Sequence, residues 1–261
     1  MGKWWQSMKV VWSNLMVYKT NFILQSVAPL VVFLFIKVSL WTAVFKGSEI
    51  DQIGSYNLES MLTYHLWIML VTMVSIGAAN QDISQDIRLG RITSYLIYPF
   101  SLFEFHMASY LAKQVVKLII ALITLLGVWL SLGLSLDWLM VLQALSLAFW
   151  GGLFWFFLNY FFGLLGFWLE ETWTFSVMIQ VIAYFFSGAI IPLELYPEWL
   201  KAGLIYSPFP YIGYIPAKIM MGEPVDLTQA FMVLSFWIAL TAGAGHWIFK
   251  RGLRLYTAAG M

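Results

Sequence analysis

The chain has 261 residues, 61% of them hydrophobic and only 10% charged, with a mean hydropathy of +0.81 and a formal net charge of +1. Soluble domains carry about 25% charged residues; this composition cannot cover a water-facing surface and points to an all-α polytopic membrane protein in a single domain, residues 1–261. The charge excludes a basic field for nucleic acid, the lack of cysteine excludes disulfides and thiolate metal sites, and His65, His106 and His246 are spaced too widely for a metal motif.

In chain order, residues 3–19 come first. Trp4, Trp5, Met8, Val11, Trp12, Leu15 and Met16 recur at helical spacing, with Gln6, Ser7, Ser13 and Asn14 mainly on the other side. The pattern predicts an amphipathic helix lying in the inner headgroup layer. A spanning helix needs about 20 apolar residues. Six segments are read as spans: Phe22–Phe45, Met61–Ala79, Val115–Leu134, Trp138–Trp168, Trp173–Ile191 and Leu227–Phe249. The fourth is too long for one upright helix and must tilt, protrude or break, with Gly151-Gly152 as the expected place of a break. The first run starts late and is too long for a cleaved signal segment.

An even number of spans puts both termini on one side. That side holds Lys3, Lys9, Lys19, Arg88, Arg91, Lys113, Lys117, Lys250, Arg251 and Arg254; the other holds only Lys46, Lys201 and Lys218. Basic residues resist translocation, so both termini and residues 80–114 are expected to be cytoplasmic. Lys37 lies well inside the first span, where it either snorkels outward or faces a wet cavity.

Between spans two and three, residues 80–114 form the one sizeable inner segment. Gln81 to Tyr98 predicts a short helix with Ile83, Ile87, Leu89, Ile92, Leu96 and Ile97 as its apolar set, interrupted at Gly90 and ended by Pro99. A second helix is expected near Ser101, an N-cap with Glu104 in the capping-box position. The segment reads either as a solvated loop or as a docking helix for a cytoplasmic partner.

Asp86-Ile-Arg-Leu-Gly90, followed by Leu96, Pro99, Glu104 and Lys113, resembles the acidic–x3–Gly, Leu, Pro pattern of type-2 ABC exporter permeases, most closely a branch of largely uncharacterised bacterial permeases. The family often has Glu at the position of Asp86 and a basic residue at that of Tyr98. The layout of the whole chain is similar. The resemblance implies that Asp82, Asp86, Arg88, Gly90, Arg91 and Pro99 lie at the contact with an ABC ATP-binding subunit, present in two copies, and that ATP and magnesium are held there. Independently, the chain has no GxxxxGK[ST] motif, so no cofactor is expected on it and it is not read as an enzyme. A six-span chain is also plausibly half of a channel, completed by a second, identical or related permease.

In the fourth span, Trp155 and Asn159 are candidates to line a cargo path along with Lys37, though packing between helices is the plainer reading of each. Aromatic residues make up 18% of the chain and no acidic residue lies deep in a span. This favours a hydrophobic or amphipathic cargo over an ion. An ion-coupled secondary transporter is the competing reading. Residues 192–224 hold six of the eight prolines, and their short apolar stretches predict a re-entrant hairpin on the outer face. Pro192, Glu194, Glu198 and Lys201 are its candidate gate residues.

Overall fold

A computed structural model describes residues 2–17, 19–47, 50–76, 80–97, 100–132 and 137–259. Among these the chain is helical throughout, apart from short turns. The helices are α1 (Gly2–Val17), α2 (Lys19–Gly47), α3 (Leu58–Ser75), α4 (Asn80–Arg88), α5 (Ile92–Ile97), α6 (Leu102–Leu132), α7 (Trp138–Leu164), α8 (Trp173–Phe186), α9 (Glu198–Leu204), α10 (Phe209–Ile212), α11 (Tyr214–Met220) and α12 (Leu227–Ala259). Five are long and apolar enough to cross a membrane: α2, α3, α6, α7 (with the 3-10 turn Leu165–Phe167) and α12. The ends of two expected spans, residues 77–79 and 133–134, lie outside the described residues, as do Tyr98 and Pro99.

The fifth expected span is shorter than its apolar run. Helix α8 has 14 residues, about 21 Å of rise, and stops at Phe186 instead of Ile191. Gly188 causes the stop. Its φ of 78° is left-handed, which glycine adopts without steric cost. Tyr64 Oη donates to the Gly188 carbonyl at 2.9 Å, and a β-carbon at Gly188 would lie 2.5 Å from that hydroxyl. The expected break at Gly151-Gly152 is absent, and α7 runs through both residues. They serve close approach instead. A β-carbon on Gly151 would meet Ile212 Cγ2 at 2.9 Å and Cα at 3.2 Å; one on Gly152 would meet Tyr110 Oη at 2.5 Å and the Val74 carbonyl at 3.3 Å. Small residues let membrane helices pack tightly where hydrophobicity supplies no drive between them.

Helices α3 and α7 form the centre of the protomer, and α2, α6 and α12 surround them with faces that stay exposed. Helix α1 packs along the inner half of α6: Trp12 Nε1 donates to the Ala112 carbonyl at 2.9 Å, and Trp4 meets Phe100 edge-on. Within residues 192–224, expected as re-entrant or interfacial helices, α10 and α11 are buried. Tyr211, Ile212, Ala217 and Ile219 are at most 4% exposed and pack on α3 and α7, so protein covers this broken backbone. Trp199 and Tyr206 remain exposed at its edge.

Because Ile212 cannot yield its backbone, Gly151→Val is expected to lower stability by about 1–3 kcal/mol. The check is thermal unfolding in detergent followed by size exclusion, with Gly127→Val, where a β-carbon meets nothing within 4 Å, as the control.

Candidate functional site

The inner segment divides as the glycine predicts. Helix α4 ends at Arg88, Gly90 takes φ 72°, and α5 starts at Ile92. Its apolar residues then split between two environments. Ile83, Ile87 and Ile92 are at most 3% exposed and pack with Phe156, Tyr160 and Leu164 of α7 and Ile248 of α12. Each contributes about 2 kcal/mol by burial. Leu89 and Ile97 are 63% and 82% exposed. Arg88 and Arg91 are exposed on the same turn. The far side of α4 rests on the turn after α7, where Gly166 leaves only 3.1 Å between an added β-carbon and Ser84 Cα.

Asp86 belongs to the buried side. It accepts from Tyr95 Oη at 2.9 Å and from Arg91 Nη1 at 3.3 Å, and His106 Nε2 lies 3.1 Å from its second oxygen. A carboxylate only accepts, so Nε2 carries the proton there. Burial pushes the Asp86 carboxyl up, but the hydrogen bonds from His106, Tyr95 and Arg91 outweigh it and hold it below its ordinary value. The same site pushes the Tyr95 hydroxyl up, through burial and the neighbouring carboxylate. Asp86 thus ties α4, α5 and α6 together from within. Asp82 is exposed and 3.8 Å from Lys113 Nζ, a pair worth little at a wet surface. Ser101 and Glu104 form the expected capping box: the Ser101 N–H donates to Glu104 Oε2 at 2.8 Å, and the Glu104 N–H to Ser101 Oγ at 3.2 Å. The helix they start continues without interruption into the third span.

On the other side, the hairpin is held by a buried cation that sequence reasoning counted only for topology. Lys218 is 3% exposed. It pairs with Glu194 and, at 2.5 Å, with Glu223, and it lies over the rings of Tyr56 (4.8 Å) and Tyr214 (5.7 Å). Tyr56 Oη donates to Glu194 Oε1 at 2.9 Å. The tight turn Ile53–Tyr56, with Gly54 at φ 62°, presents that tyrosine. Burial raises the Glu194 carboxyl, and hydrogen bonds from Lys218 and Tyr214 outweigh it, leaving it below its ordinary value. Lys201 and Glu198 pair at 2.6 Å on the exposed face of α9. Pro192 precedes the 3-10 turn Leu193–Leu195 that carries Glu194. The hairpin lines a half-open cleft of about 220 Å³ with mostly apolar walls, among them Leu193, Leu204, Ile205 and Tyr211.

Lys37 is held inside the helical body. It is 5% exposed and donates to the Ile190 carbonyl at 2.5 Å, with Phe33 beneath it. His65 is fully buried and accepts from Trp41 Nε1 at 2.7 Å. Trp155 and Asn159 are 3% and 2% exposed. Asn159 Nδ2 donates to the Trp155 carbonyl one turn back, and both pack inside the protomer. Two further groups escaped the sequence reading. Gln114 Nε2 donates to the Val74 carbonyl at 2.5 Å, and Lys117 Nζ to the Ile76 carbonyl at 2.7 Å. Their signal was a polar recurrence at helical spacing in the first half of α6.

Comparison with known proteins agrees with this layout. The family model described as "ABC-2 family transporter protein" matches residues 15–260. No curated protein matches the chain. The match spans nearly all of it: the chain belongs to the ABC-2 transporter family, whose members are membrane permease components of ABC transporters.

Two outcomes follow from the ion sites. Lys218→Met leaves Glu194 buried without its cation and is expected to cost about 2 kcal/mol or more; adding Glu194→Gln should restore part of that loss, read as a thermal-unfolding cycle. Asp86 has a folded value below the ordinary 3.8. Its tie is therefore fully present above pH 3.8 and is lost as pH falls through the lower, folded value. Protection factors of residues 80–97, which correct for the pH dependence of intrinsic amide exchange, should be steady at neutral pH and fall in that acid range, and Asp86→Asn should abolish the acid step while lowering protection at pH 7.

Proposed function

We propose that this permease is the membrane subunit of an ATP-driven exporter, and that residues 80–97 receive the ATP-binding partner. The observation that carries this reading is the split of the segment. Three isoleucines and Asp86 anchor it to the helical body, while Arg88, Leu89, Arg91 and Ile97 face outward around Gly90. Apolar residues exposed beside charge on the inner face suit a protein groove better than lipid or open water. The chain has no phosphate-binding loop, so ATP and magnesium sit on the partner, in two copies that serve two permease subunits, identical or related.

Both termini are cytoplasmic in this reading, which the distribution of Lys and Arg supports, and the membrane is the bacterial inner one, which the resemblance to bacterial permeases implies. The cargo is hydrophobic or amphipathic. Support comes from the aromatic and aliphatic walls and from the apolar cleft of the outer hairpin. Glu194, Glu198 and Lys201 act on that outer side with Pro192, closing or opening the exit as the hairpin moves.

Asp86 contributes as an internal brace and Arg88 as a contact, which sets the experiment. Purified from its native membrane in mild detergent, the chain is expected to bring an ATPase with it. Arg88→Glu should reduce that recovery by about tenfold, equivalent to about 1.4 kcal/mol, with insertion and thermal stability unchanged. Undiminished recovery with Arg88→Glu and Leu89→Ser combined would remove this face from the contact.

A further inference from the structure

Helix α6 bears a polar stripe: His106, Tyr110, Lys113, Gln114 and Lys117, at intervals of four, three, one and three. Such spacing places them on one helix face. Four of the five grip two earlier elements, α3 and α4. His106 and Lys113 meet Asp86 and Asp82 of α4. Gln114 and Lys117 donate to Val74 and Ile76 at the end of α3. The fifth, Tyr110, sits against Gly152 of α7, with its ring 5.0 Å from that of Phe156.

The α3 contacts are unusual for a spanning helix. The last carbonyls of any helix have no partner within it, and in a bilayer water does not supply one. Here the supply comes from the side chains of another span, and one of them is a cation placed at the negative end of the α3 dipole. Ser75 Oγ adds a bond to the Ala148 carbonyl of α7 at 3.0 Å.

We propose that the stripe fastens the inner end of α3, and α4 with it, to α6, so that these elements move as one rigid unit and a push on α4 is delivered to α6. Lys117 and Gln114 are the positioning residues of that unit. The direction of the push rests on the reading of residues 80–97 as the ATPase contact; the fastening itself rests on the hydrogen bonds.

The chain has no native cysteine, so spin labels can be placed at exposed Gln85 on α4, Ile123 on α6 and Met232 on α12. Double electron–electron resonance in lipid nanodiscs then reads the 85–123 and 123–232 distances, for the chain alone and with its co-purified ATPase with and without MgATP. The expected result is an 85–123 distance that is narrow and does not change with MgATP, beside a 123–232 distance that shifts. An 85–123 distance that shifts with MgATP overturns the rigid unit. In Lys117→Met, and in the milder Gln114→Leu, the 85–123 distribution of the chain alone should broaden by about twofold. The MgATP shift at 123–232 should be lost while the ATPase still co-purifies, and Lys117→Arg should keep both properties. Unchanged distances in both weakened variants overturn the role of the stripe. A parent complex that binds ATPase yet never shifts at 123–232 overturns the delivery to α6. That failure is separable from loss of the fastening, which the chain alone reports.

Discussion

Carbonyls at or just past the ends of several helices are satisfied within the fold, and the architecture follows from how. Side chains from elsewhere in the fold take the place of solvent. Gln114 and Lys117 serve the end of α3, Lys37 serves Ile190, Tyr64 serves Gly188, Tyr196 serves Phe185 at 3.0 Å, and Trp237 serves Tyr206 at 2.9 Å. Each donor lies on a different element from the carbonyl it reaches, except where the outer hairpin folds onto its own flanks. The bonds that satisfy the backbone therefore also fix the arrangement of the helices.

The lysines of the helical body follow the same rule. Lys37 and Lys117 both end on backbone carbonyls, and Lys218 ends between two carboxylates and two aromatic rings. A buried cation with such partners holds structure; its removal leaves acceptors stranded.

Local signals were legible in the sequence. The Ser101–Glu104 capping box is a four-residue motif that needs no tertiary help, and Gly90 marks a turn because its left-handed φ suits no other residue as well. The apolar set of the inner segment was legible as a set, but not its division, because Ile83 and Leu89 differ in what faces them and not in hydrophobicity. The stop of α8 was hidden by an apolar run that continues to Ile191, although Ser187-Gly188 lies within it. Gly151-Gly152 was misread because paired glycines signal either a break or a close approach, and only the position of Ile212 and Tyr110 decides. The burial of Lys218 had no periodic signature at all. Its partners are 24 residues back and five ahead, and Tyr56 is further still.

The division of the inner segment has a consequence for how such chains diversify. The isoleucines that seat it and the residues that project from it occupy different faces, with Gly90 as the pivot between them. Leu89 and Ile97 answer to no packing demand of their own protomer, so mutation can redraw the projecting surface while the seat stays intact. Choice of companion and integrity of fold are in that sense inherited separately.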